Sequence, residues 1–214
     1  MRERNMPATA TMETAHGLQE APPKVEEKPE WWASPATLGL MGFGTTTILA
    51  GLNDGGWIQW GALLSMAIFF GGSAQVIAGV VALRKGNMFA GTAFTGYGMF
   101  WLAFNNEVVN YVFAKGPTGP YDIAAFTFVW FLFTFAFLLC APKHGIGITA
   151  VFLFLTIAFL LLTWQWWEAG QAVVLSKGTF EGIGAEIILT GLTAVFVGYA
   201  DLINWNYGRK IVPV

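Results

Sequence analysis

Hydrophobic positions along this chain fall into long apolar runs broken by short polar or glycine-rich stretches. Six runs reach or approach the roughly 18 residues that a membrane-crossing helix needs, at 37–53, 58–82, 89–113, 122–141, 145–167 and 182–204. The pattern predicts an all-α membrane protein built as a six-helix transmembrane bundle. Small residues recur every seven positions within three runs: Thr37, Gly44 and Gly51 in the first, Ser65, Gly72 and Gly79 in the second, Gly184, Gly191 and Gly198 in the sixth. On a continuous helix each set forms one stripe, where a neighbouring backbone approaches closely and packing replaces the hydrophobic drive that lipid does not supply. Such seams lie within a protomer or between protomers.

Composition agrees with the pattern, at 55% hydrophobic, 16% aromatic and 11% charged with 26 glycines in 214 residues. Charge divides the chain further. Residues 1–30 carry four Lys/Arg and six Asp/Glu, while the remainder carries seven of each. The acidic leading segment, rich in Ala, Pro, Glu and Thr, has no signal-peptide core and too little apolar surface to fold alone. The expected organisation is a disordered cytoplasmic tail at 1–32, a transport domain at 33–206 and a short cytoplasmic tail at 207–214. Arg84, Lys85, Lys143, Arg209 and Lys210 fall on the side of the bundle that holds both termini, against Lys115 and Lys177 on the other. The positive-inside rule then puts both termini in the cytoplasm of a multi-pass protein of the cytoplasmic membrane. Trp31, Trp32, Trp57, Trp60, Trp164, Trp166, Trp167 and Trp205 stand near the ends of runs, as interfacial anchors do.

Two polar side chains interrupt the apolar runs. Gln75 sits in the second, flanked at helical spacing by Ile68, Gly71, Gly72, Ala78, Gly79 and Ala82. An unpaired amide in hydrocarbon costs several kcal/mol, so Gln75 either bonds a neighbouring helix or lines a pathway. Tyr97 belongs to a stripe with Phe94, Trp101 and Phe104, a pattern more usual on a lipid-facing or inter-subunit surface; Thr92, Thr95 and Asn106 adjoin it. Glu107, Glu186 and Asp201 are the acids expected at membrane depth and are candidates for proton-linked roles. No Lys or Arg lies inside a run. The single Cys140 forms no intrachain disulfide, and no His/Cys/carboxylate cluster has metal-ligand spacing, so neither a metal nor another cofactor is expected. Hydrolase motifs, a buried Schiff-base lysine and a pair of N-P-A half-helices are missing from the sequence, which leaves enzyme, light-driven pump and water-channel readings without their residues. Nucleic acid is not an expected partner.

The runs G-G-S-A-Q-V-I-A-G (71–79), R-K-G-N-M-F (84–89), T-A-F-T-G-Y-G (92–98) and F-W (100–101) closely resemble the acetate uptake transporter family, which includes the bacterial succinate/acetate permeases. S-P-A-T-L-G-L-M-G-F-G-T-T-T (34–47) and Y-G-R-K-I-V-P-V (207–214) extend the resemblance over residues 33–214. It implies a protomer with its own pore, a homo-hexameric ring, and passage of acetate, with succinate or other short carboxylates in some members; the lack of Lys and Arg inside the runs leaves open, as alternatives to passage of the bare anion, the neutral acid or an anion with an accompanying proton. The family's N-P-A-P-L-G-L signature falls on 34–40, with Ser34 and Thr37 replacing Asn and Pro; Ser34 keeps an oxygen able to cap the helix. Y-G-G-x-x-Q falls on Phe70, Gly71, Gly72 and Gln75, with Phe70 in place of Tyr, a departure that bears on substrate preference. The family's constriction maps to Phe43, Tyr97 and Leu155, and Gln75 with Thr45, Thr46, Thr47 and Thr95 would supply polar contacts along the substrate path. A non-transporting sensor or scaffold that binds small carboxylates is the alternative.

Overall fold

The computed structural model describes residues 33–214, so the tail expected at 1–32, with Trp31 and Trp32, lies outside the described residues. Six helices follow in order: α1 (Ala36–Asp54), α2 (Trp60–Arg84), α3 (Met88–Val108), α4 (Pro120–Cys140), α5 (Ile146–Gly170) and α6 (Lys177–Tyr207). A π-helical turn, Val109–Phe113, prolongs α3, and a 3₁₀ turn, Ala141–His144, prolongs α4. Local chemistry sets the boundaries. Ser34 Oγ accepts from Ala36 N at 3.2 Å just ahead of α1, whose cap position is held by Pro35 without a side-chain bond. Asn87 Oδ1 accepts from Ala90 N at the start of α3, Ser176 Oγ accepts from Thr179 N at the start of α6, and Gly208 closes α6 in the left-handed region. Pro120 opens α4, where its missing N–H costs nothing.

The glycine stripes of α1 and α6 meet within the protomer. A Cβ on Gly44 would lie 2.6 Å from the Gly191 carbonyl oxygen, and one on Gly51 would lie 2.5 Å from that of Gly184. The reciprocal approaches, Gly191 to Gly44 and Gly184 to Gly51, are equally close at 2.7 and 2.6 Å. The two helices therefore run antiparallel in one register, and Thr37 completes the seam by donating to Asp201 Oδ2 at 2.6 Å. Asp201 thus meets Thr37.

The second seam departs from its expected form. Gly72 and Gly79 do face α3, where their Cβ positions would strike Leu102 and Thr95, and Gly98 packs on the Gly72 carbonyl. Ser65 is exposed and donates to the Gly61 carbonyl instead. The reason is a π-helical stretch, Phe69–Ala74, inside α2. Its wider turn shifts the phase of everything before it, so a seven-residue repeat read across it no longer marks one face. Ser73 Oγ donates to the Ile68 carbonyl at 2.8 Å, five residues back, which follows the π geometry. Ile68, expected beside Gln75, is likewise turned outward.

Pro120–His144, Ile146–Gly170, Lys177–Tyr207 and Trp60–Arg84 are long and apolar enough to cross a membrane. The less apolar α1 and α3 carry threonines, glycines and asparagines because they pack against other helices on several sides. Phe94, Tyr97 and Trp101 of α3 are buried, so the aromatic stripe expected on an outer surface faces the core. The outer surface is made instead by Phe128, Leu132 and Phe135 of α4, Leu153 and Leu160 of α5, and Leu192 and Phe196 of α6.

Candidate functional site: two chambers joined at Phe43 and Leu155

Two cavities occupy opposite ends of the bundle interior. The first, about 190 Å³, is bordered by Ala36, Gln75, Asn87, Phe89, Tyr97 and His144 among others, so it opens towards the start of α1 and the α2–α3 and α4–α5 connections. The second, about 70 Å³, is bordered by Asn53, Asp54, Trp60, Trp101 and Trp166, near the α1–α2 connection. Both exceed the roughly 10–15 Å³ needed to admit a water. Phe43 and Leu155 border both chambers and are themselves buried, at 4% and 5% exposure. The Tyr97 ring stands 5.6 Å from that of Phe43, centroid to centroid, at the head of the first chamber. These three side chains come from α1, α3 and α5 and all border the first chamber.

Tyr97 is held from behind. Its hydroxyl lies 2.9 Å from Thr134 Oγ1, and Thr134 in turn donates to the Trp130 carbonyl at 2.7 Å, so the tyrosine is the donor of the pair. Phe133, Phe137 and Phe152 pack around the ring. The hydroxyl is therefore spent on α4, and the ring alone meets the chamber. Tyr97→Phe should lower stability by about 1 kcal/mol, the net worth of one hydrogen bond, and leave solute passage within about twofold of the unmodified protein. A thermal melt and a flux assay on the same preparation check both.

Gln75 is 1% exposed and borders the first chamber. Its Oε1 is buried without a hydrogen-bond partner among the described residues. That oxygen is tied to no neighbouring helix, and the side chain borders the chamber. Its position follows from the π turn, because Gly42 of α1 lies against the Phe70 carbonyl, where a Cβ would sit 2.7 Å from the oxygen, and Gly71 lies against Thr46. Phe89 stacks on His144 at 3.8 Å at the mouth of the same chamber. Neither chamber is bordered by Lys or Arg.

The threonines separate. Thr47 borders the second chamber, with its hydroxyl donating to the Phe43 carbonyl. Thr45 donates to the Met41 carbonyl, Thr46 packs on Gly71 and Thr95 packs on Gly79; none of these three borders a chamber. Glu107, Glu186 and Asp201 also lie away from both, accepting from Thr118, Thr190 and Thr37 respectively. A fourth acid does border one. Asp54 is the last residue of α1, and the sequence pattern ends the first run one residue before it. Its Oδ1 accepts from Gln165 Nε2 at 2.8 Å, a pairing across 111 positions that no local signal announces. Trp60 and Trp166, expected as interfacial anchors, border this chamber as well.

Residues 18–207 match the GPR1/FUN34/yaaH family. This chain belongs to that family. It is 34% identical over 185 residues to the succinate-acetate/proton symporter SatP of Escherichia coli K12, covering 85% of this chain and 95% of that protein. It is 30% identical over 201 residues to acetate permease A of Emericella nidulans, covering 86% of this chain and 66% of that one. Among solved structures, that of the bacterial acetate channel SatP superimposes with a TM-score of 0.77 at 31% identity, covering 86% of this chain and 99% of the other. The six-helix bundle is thus a multi-pass membrane fold of a transporter family.

Proposed function

We propose that the protein carries acetate and related short carboxylates across the cytoplasmic membrane, from one chamber to the other past Phe43, Tyr97 and Leu155. The observation that carries this is the pair of chambers at opposite ends of one bundle, separated by Phe43 and Leu155, with the buried Gln75 bordering the first and its Oε1 without a partner among the described residues. Rings at such a division exclude water, and small rotations reopen the path. A carboxylate arriving there loses part of its hydration, and the Gln75 N–H donors replace some of it. With no Lys or Arg bordering either chamber, the anion is held weakly and released readily.

The first chamber faces the cytoplasm in this scheme, with both termini, because Arg84, Lys85 and Lys143 cluster at its end of the bundle. The apolar outer faces of α4, α5 and α6 meet lipid and neighbouring protomers in a homo-hexameric ring, which native mass spectrometry in detergent tests. Purified protein in liposomes should take up labelled acetate faster than protein-free vesicles. Absence of that excess under both a pH gradient and a voltage overturns the transporter assignment and leaves a non-transporting carboxylate binder.

Selectivity has its own test. Phe43→Ala removes the ring shared by both chambers and should raise the rate for butyrate relative to acetate by about tenfold, the lower range of discrimination per methylene group. An unchanged ratio would place the restriction elsewhere.

A further inference from the structure

The second chamber presents a chemical problem to the path just proposed. Asp54 borders it, and no basic side chain does. One carboxylate oxygen, Oδ1, is held by Gln165, whose side chain is only 5% exposed. The other, Oδ2, is buried and has no hydrogen-bond partner among the described residues. Trp101 Nε1, also buried and unpartnered, belongs to a ring that borders the same space. The charged groups on adjoining elements are occupied elsewhere. On α5, Glu168 accepts from Trp164; on α6, Lys177 pairs with Glu181, and Glu186 accepts from Thr190 through Oε1 while its Oε2 is buried without a partner, but it borders neither chamber; on α3, Glu107 accepts from Thr118. Among the described residues, no basic side chain borders the chamber to neutralise Asp54.

Two like charges about 4 Å apart repel by about 4 kcal/mol at an effective dielectric constant of 20, enough to slow entry by nearly a thousandfold. A carboxylate crossing this small chamber therefore passes Asp54 readily only if one of the two carboxyl groups carries a proton. We propose that Asp54, positioned by Gln165, is the residue of the second chamber that shares its proton with the passing carboxylate. This rests on the transport path proposed above. In the step, Asp54 takes a proton from hydronium at its end of the bundle. The entering carboxylate then shares that proton, with Trp101 N–H available to its second oxygen. The substrate passes the division as the neutral acid, leaving Asp54 ionised and ready to be reprotonated from solvent, and in the first chamber it gives its proton to water and meets Gln75 as the carboxylate. No bond other than O–H forms or breaks, and charge balances at each stage.

The test uses the full chain in liposomes, with initial rates corrected for protein-free vesicles. In the unmodified protein, acetate uptake should follow an imposed pH gradient and ignore a potassium–valinomycin potential, because acid and proton enter as a neutral sum. Asp54→Asn keeps an oxygen for Gln165 but holds no transferable proton. Its uptake should lose the pH-gradient response by about tenfold and become sensitive to voltage. Retention of the unmodified pH and voltage responses in Asp54→Asn overturns the proposal. Absence of uptake in the unmodified protein instead defeats the transport path itself. Should the variant fail to fold, dicyclohexylcarbodiimide labelling of the unmodified protein decides: modification at Asp54, reduced by added acetate, supports the assignment, and no modification there overturns it.

Discussion

Gln75→Ala should reduce acetate flux by about tenfold to a hundredfold while the protein keeps its yield, its oligomeric state and its melting temperature. The amide is buried, borders the first chamber, and has an oxygen with no partner in the bundle. Its removal relieves an unsatisfied group, so the fold loses little. The passing carboxylate loses its donor. A hydrogen bond to a charged group is worth about 1.5–3 kcal/mol, and each 1.4 kcal/mol is a factor of ten. Initial rates of labelled acetate uptake, with size-exclusion profiles of the same preparation, separate the two effects. A variant that loses assembly with its flux would mark Gln75 as a structural tie. Gln75→Glu sharpens the contrast, since it keeps the shape and replaces a donor with a like charge, and should transport less than Gln75→Ala.

Gly44→Leu should abolish recovery of folded protein, the largest stability effect expected of any single change in the bundle. The first atom added would stand 2.6 Å from the Gly191 carbonyl oxygen and 2.9 Å from the Val195 nitrogen, both backbone atoms of α6. Backbone in the middle of a helix does not step aside as a side-chain tip does. The α1–α6 seam would have to separate along its length, and Thr37 would leave Asp201. Overpacking in a dense core costs about 1–3 kcal/mol even where side chains can shift, and more where they cannot. Gly61→Ala is the control: nothing lies within 4 Å of its Cβ position, and it should be neutral or slightly stabilising. Monodisperse yield from detergent extracts reads both variants.

The same physics explains which parts of the site are legible from residues alone. Gln75 stands out because an amide is costly in an apolar run. Phe43, Tyr97 and Leu155 come from the family resemblance, and all three border the first chamber although they stand on three helices. The threonines are harder. Thr45, Thr46, Thr47 and Thr95 look alike in sequence, yet a hydroxyl in a helix can bond the carbonyl one turn back, as Thr45 and Thr47 do, and so needs no chamber. Asp54 escapes notice because it ends a helix, where an acid next to a loop is ordinary. Only the approach of Gln165 and the tryptophans from distant segments encloses it.

By itself the sequence determined the six apolar runs, their order, the glycine stripes of the first and last helices and the costly position of Gln75. Each of these is a local property, set by hydrophobic periodicity and by what a residue type costs in lipid. Tertiary structure alone decided that the α1–α6 seam is intramolecular, that the π turn at Phe69–Ala74 breaks the stripe of α2 and turns Ser65 outward, and that the aromatic face of α3 points inward. It also decided which polar groups border a chamber. Such outcomes depend on the phase of one helix against another, and a single wide turn or a contact across a hundred residues resets that phase without leaving a mark in the local pattern.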